Sequence, residues 1–337
     1  MIRFSKIMGN NQKVGLKKKS NKGEVSLRKM GTLSRDKAIK KDTIKEARVY
    51  YQDLLTLANE VQSWVNNDEP IDISLIISLL KSIIEDGVVE SLYHYLALKG
   101  DKENDVVAHS IDVTVFSLKI GIGMGYDDKR LLALAMIAFL HDVGMYKIPQ
   151  NILNKQGKLS EQEFKEIQRH PEISADILSR LDSKYKWLAD VVLQVHEKAD
   201  GSGYPRGLRG RDIHEYAAII GVTDMYSAMV KDRPYRDRFE KSSAVKSIIP
   251  SSKEKFPYKV IKAFLNTISL FPISSYVKLN DHSVGRVIST NASFPLKPGI
   301  EILYDNRGRA LEESKIVDLS EQPLLYIIEN VDENDIV

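Results

Sequence analysis

Four of the seven histidines stand where they can converge with aspartates: His109, the adjacent pair His141-Asp142, His170, His196 and, further on, Asp224. Imidazole and carboxylate together make a mixed nitrogen and oxygen donor set. Such a set suits Fe, Mn, Zn or Co better than Ca or Mg alone. Its chemistry is metal-assisted hydrolysis, in which bound ions activate water and stabilise charge on a reacting oxyanion. His141-Asp142 closes the apolar run Leu131–Leu140, which delivers the pair to the interior. An ionised carboxylate there is costly unless it is paired or binds metal. Asp142 has two oxygens, so one side chain can bridge two ions.

The elements that must carry these residues read as helices. Residues 41 to 66 place Tyr51, Leu54, Leu55, Leu57, Ala58, Val61 and Trp64 near a 3.6-residue period, and a second helical run includes Ile76, Leu79, Leu80 and Ile83. Ser160 with Glu163 makes a capping box, and the pattern turns Phe164 and Ile167 inward. His170-Pro171 marks a helix boundary. Leu188, Val191, Val192 and Val195 form one apolar stripe, a glycine-rich loop runs from Gly201 to Gly210, and residues 219 to 229 are helical again. After about residue 270 the pattern changes to short strands at 275–279, 284–288 and 299–303, punctuated by Asn-Asp and Pro-Gly turns. The expected fold is mainly α, a helical bundle with a small β-rich C-terminal extension. Its expected parts are a basic arm plus helix (1–69), a helical domain (70–270) and the extension (271–337).

Composition narrows the chemistry. With no cysteine, disulfides, thiolate zinc sites and cysteine nucleophiles are excluded. Residues 1–48 hold 15 Lys and Arg against 4 Asp and Glu, while the remainder holds 34 against 42, so a basic arm precedes an acidic body. The arm lacks interleaved aromatics and reads as solvated; no nucleic acid polymer is expected as partner. No apolar stretch reaches the roughly 18 to 20 residues of a membrane span, and no secretion signal is visible. The expected location is the cytoplasm.

The motifs resemble those of the HD-GYP family, cyclic di-GMP phosphodiesterases of the HD superfamily. The resemblance rests on His109-Ser110, His141-Asp142-Val143-Gly144, His170-Pro171 and the run His196-Glu197-Lys198-Ala199-Asp200-Gly201-Ser202-Gly203-Tyr204-Pro205. Gly207-Leu208-Arg209-Gly210, Asp224 and Asp232-Arg233-Pro234-Tyr235-Arg236 follow. It spans about residues 75 to 270. It implies that His109, His141, Asp142, His170, His196 and Asp224 are metal ligands, with Asp142 as the bridge, and that two divalent ions are held. Iron or manganese leads that expectation, with Mg, Ni, Zn or Co as alternatives. Asp105 is either a ligand of a third ion or a solvated side chain. Tyr204 stands near the substrate, and Arg233 and Arg236 match positions that contact the nucleotide. The implied substrate is cyclic di-GMP, hydrolysed to pGpG and/or GMP, and diguanylate cyclases of the GGDEF kind are implied as protein contacts.

Three positions depart from the family pattern. Val195 stands where relatives carry the first of two adjacent histidines, Met145 where they carry a lysine, and Ser227 where an aspartate is common. Valine cannot ligate metal, so the second ion's site is expected to be the weaker. Water or Glu197 is a candidate for the vacated position. The competing readings are a degenerate module that binds metal or nucleotide without turnover, and an HD phosphohydrolase acting on another cyclic dinucleotide.

Overall fold

The computed structural model describes residues 41–98, 106–230, 254–268, 271, 273, 275–291, 294 and 296–331. Asp105, Arg233, Arg236 and most of the basic arm lie outside the described residues.

The helical part begins with α1 (Lys41–Asn66), α2 (Ile73–Glu85) and α3 (Val89–Leu98). α1 turns Tyr51, Leu54, Ala58 and Val61 into the same core as Leu92 on α3 and Ile111 on α4 (Val106–Gly123). α4 buries Val107, Ile111, Val113, Val115, Leu118 and Ile120 around its whole circumference. A helix apolar on every side belongs at the centre of a bundle. α4 is also long and apolar enough to cross a membrane, but 78% of that stretch is buried inside the protein, as a core helix requires.

α5 (Asp128–Leu140) packs along α4 and is capped by Asp127, whose side chain accepts from the Arg130 N–H. Three short helices follow: α6 (Gln150–Leu153), α7 (Glu161–Ile167) and α8 (His170–Ser179). The Ser160–Glu163 capping box is present at the start of α7. The inward orientation expected of Phe164 is not found: Phe164 is 52% exposed, and α7 buries no residue. The seven-residue helix is a surface turn, and its capping carboxylate is tied to Lys155 instead of to a core. α9 (Trp187–Val192), α10 (Glu215–Val230) and α11 (Tyr258–Thr267) complete the bundle, α10 and α11 both packing on α4.

The C-terminal part is an antiparallel sheet in the order β4-β3-β2-β1-β5. β1 (Tyr276–Leu279), β2 (Val284–Ser289) and β3 (Gly299–Tyr304) fall on the three expected strands. β4 (Ala310–Asp318) and β5 (Ile327–Val331) form the two edges and were not legible. β4 is exposed from Ala310 to Ile316, so neither of its faces leaves the apolar alternation that identifies a strand. The facing row Val287, Ile300 and Val317 is buried and in register across β2, β3 and β4.

Candidate metal centre

Helix ends, the turn after α9 and the middle of α10 bring the six predicted ligands together. His109 lies in the first turn of α4, His141 caps the C-terminus of α5 with Asp142 beyond it, and His170 opens α8 with Pro171 behind it. His196 sits in the turn after α9, and Asp224 is in mid-α10. Gly144 makes the approach of α8 feasible. A Cβ there would stand 2.2 Å from the His170 carbonyl oxygen and 2.7 Å from the Ser174 backbone nitrogen. The Gly144 N–H instead donates to Ser174 Oγ at 2.8 Å, fastening the HD turn to α8.

Two groups of potential ligand atoms share Asp142: His109, His141 and Asp142, and Asp142, His170 and His196. Asp142 Oδ1 is 3.3 Å from His141 Nε2 and 3.2 Å from His170 Nε2. Asp142 Oδ2 is 3.9 Å from His109 Nε2. Asp224 adjoins both groups, with Oδ1 2.9 Å from His109 Nε2 and Oδ2 3.5 Å from His196 Nδ1.

The backbone sets the proton positions. His141 Nδ1 lies 2.7 Å from the Ala138 carbonyl, and His170 Nδ1 lies 2.7 Å from the Ile167 carbonyl. A carbonyl only accepts, so both Nδ1 atoms carry the hydrogen and both Nε2 lone pairs face the cluster. This is how metal-ligating histidines are oriented. Ser227 takes the equivalent place for His109, its Oγ 3.1 Å from Nδ1.

The cluster fits a divalent cation. His141 Nε2 and Asp142 Oδ1 are buried and have no hydrogen-bond partner among the described residues. Leaving such atoms unsatisfied costs about 1–3 kcal/mol each. His170 Nε2 and His196 Nε2 stand 2.8 Å apart, a separation that needs a proton or a cation between two lone pairs. Burial pushes the Asp142 carboxyl up, but the imidazoles of His141, His170 and His196 around it outweigh burial and hold the carboxyl well below its ordinary range. Asp224 is lowered in the same way against its burial, by His109 and His196. Burial by itself would depress His170, yet Asp142 raises it. Two carboxylates thus stay ionised among imidazoles, the arrangement a cation stabilises.

Tyr204 lies flat on His196, ring centroids 5.1 Å apart and planes within 3°. Burial, then the charges of Asp224 and Asp142, raise its phenol, which stays protonated at neutral pH. Val195 is 1% exposed and belongs to the apolar core. Lys147 makes an ion pair with Asp68 at 2.8 Å and does not stand in for the lysine missing at Met145.

Glu197 does not fill the vacant ligand position. Its carboxylate accepts from the Arg206 N–H at 2.6 Å and the Leu208 N–H at 2.9 Å. Sequence reasoning missed this role; the available signal was a buried acid one residue after a ligand, followed by a glycine-rich loop with free amides.

Comparison with known proteins agrees with the architecture. An HD domain model matches residues 93–260, and a model for a KOW domain associated with HD domains matches residues 276–337. Cyclic di-GMP phosphodiesterase PdeB of Borreliella burgdorferi is 30% identical over 224 residues, 66% of this chain and 57% of PdeB. A 3′3′-cGAMP-specific phosphodiesterase 3 of Vibrio cholerae is 38% identical over 128 residues, 38% of this chain and 28% of that protein. The chain spans about half the length of the curated relatives it matches. Among solved structures, Bd1817, an HDGYP-type protein from Bdellovibrio bacteriovorus, shares the fold with a TM-score of 0.54 at 18% identity, covering 68% of this chain and 74% of its own. By its HD domain, the KOW domain paired with it and its curated relatives, this chain belongs to the HD-domain family, in the HD-GYP branch.

Proposed function

We propose that this chain is a metal-dependent phosphodiesterase that hydrolyses cyclic di-GMP to pGpG and/or GMP. The observation that carries the reading is the pair of His/Asp groups sharing Asp142, with His141 Nε2 and Asp142 Oδ1 left unpartnered in the interior. His109, His141, Asp142 and Asp224 would hold one ion, and Asp142, His170 and His196 a second. Bound divalent ions supply Lewis acidity and water activated near neutral pH. The chain's own part is to fix the imidazole faces through Ala138, Ile167 and Ser227 and to keep Asp142 and Asp224 ionised. It also sets the neutral Tyr204 hydroxyl beside the cluster, where it can donate to a phosphate or a sugar oxygen. Arg233 and Arg236 are proposed to clamp the nucleotide through their planar donor forks. The setting is the cytoplasm, with diguanylate cyclases as protein contacts.

A second reading has a specific observation behind it. Val195 is sealed in the core and Lys147 is paired with Asp68, so neither stands as a replacement, among the described residues, for the two groups that the family resemblance leads one to expect. A chain lacking both would bind metal and nucleotide without turnover. The test is protein reconstituted anaerobically with iron or manganese and given cyclic di-GMP or 3′3′-cGAMP. Linear dinucleotide or mononucleotide products support the enzyme and name its substrate; affinity without product supports the binding module.

A further inference from the structure

We infer that Glu197 is a positioning residue: it clamps the glycine-rich loop so that Tyr204 lies on the His196 ring, and it takes no part in holding metal. This rests on the proposed phosphodiesterase reading for its kinetic consequence, but not for its structural content.

The geometry is specific. The Glu197 side chain is 1% exposed, and its two oxygens accept from two amides two residues apart, those of Arg206 and Leu208. Between them Gly207 takes φ +63, a left-handed conformation that lets neighbouring N–H groups converge on one anion. Backbone concavities of this kind bind anions, and here the chain's own carboxylate occupies it. The same loop is pressed onto the motif from the other side. A Cβ on Gly203 would stand 2.4 Å from Lys198 N and 2.5 Å from Glu197 Cα, so the loop lies directly on the backbone that bears His196. The Tyr204 N–H donates to the His196 carbonyl at 3.2 Å, and the Gly210 N–H donates to Ala199 at 3.0 Å to close the loop.

These contacts separate two roles that one acidic residue beside a ligand could have. Both oxygens of Glu197 are engaged by loop amides. A carboxylate held this way is turned to the loop, and Glu197 belongs to neither group of converging ligand atoms. Removing it leaves two partly buried N–H groups without their acceptor and unfastens the segment that carries Tyr204.

The test uses the full chain carrying Glu197→Gln, which keeps the shape but turns one acceptor into a donor facing an N–H. Glu197→Asp, which withdraws the charge by one methylene, is the second variant should the first fold poorly. Amide hydrogen exchange is followed over residues 204–208, and metal content is measured after reconstitution with manganese. The expected result is exchange faster by at least about tenfold in that segment, the scale of one lost charge-assisted hydrogen bond, with metal stoichiometry unchanged. With cyclic di-GMP as substrate, KM rises, and in a Tyr204→Ala background the same change adds little. Unchanged exchange over 204–208 would overturn the inference, and so would a fall in metal content, which would make Glu197 a ligand. If no parent turnover exists, the phosphodiesterase reading fails while the exchange and metal readouts still decide this one.

Discussion

Asp142 Oδ1 and His141 Nε2 stand 3.3 Å apart in the interior, and neither finds a hydrogen-bond donor or acceptor of good geometry among the described residues. The arrangement is costly for an empty site and favourable for an occupied one, and it places the functional weight of the fold at the end of α5. Because Asp142 belongs to both ligand groups, Asp142→Ala should remove both ions. Elemental analysis of reconstituted protein should give near-zero metal for this variant, whereas His196→Ala should retain the ion near His109.

Gly144 links the HD turn to α8. Gly144→Ala puts a methyl into the His170 carbonyl and Ser174, contacts of 2.2 Å and 2.7 Å that backbone must yield to. The expected cost is about 1–3 kcal/mol, as for overpacking elsewhere, with loss of the metal near His170 and His196. Denaturant unfolding and metal analysis check the two parts.

Val195→His tests whether a ligand position lies latent beside His196. An imidazole in that apolar slot should lower stability by about 1–3 kcal/mol without metal. If the ring reaches the second group, manganese should restore more stability in the variant than in the parent, by mass action. Equal metal-induced shifts in Tm would show that Val195 is a core residue with no latent ligand position.

Glu90 offers a pH test away from the site. Glu90 is exposed at its tip; desolvation by the groups packed around it pushes its carboxyl up, but the hydrogen bond from His94 and the Lys119 ammonium prevail and lower it from 4.5 to about 2. The folded value lies below the unfolded one. The contribution to stability is therefore full above about pH 4.5 and is lost as pH falls toward 2. Glu90→Gln should flatten the acid limb of the stability curve in that window, read by urea unfolding at successive pH values.

Much of the site was legible because its residues combine unusual types with helix punctuation. His170-Pro171 marks a helix boundary, and the apolar run before His141 marks a buried helix end. Both are local signals, and both place candidate ligands. The roles of Glu197 and Ser227 were not legible, since each depends on a partner brought close only by tertiary packing: loop amides for one, a histidine on α4 for the other. In the fold, the α1 period and the first three strands could be read. Phe164 and Ile167 were misplaced because two apolar residues on a short capped helix carry no information about whether a core exists beneath them. β4 escaped because an edge strand exposed on both faces has no alternation to detect.

The measurement that bears most directly on the central claim is product analysis of cyclic di-GMP incubated with the full chain reconstituted with manganese or iron, beside a chelated control and Asp142→Ala. Linear pGpG or GMP is expected in the reconstituted sample and none in either control. Saturable binding of cyclic di-GMP at full metal occupancy, with no product, would contradict it.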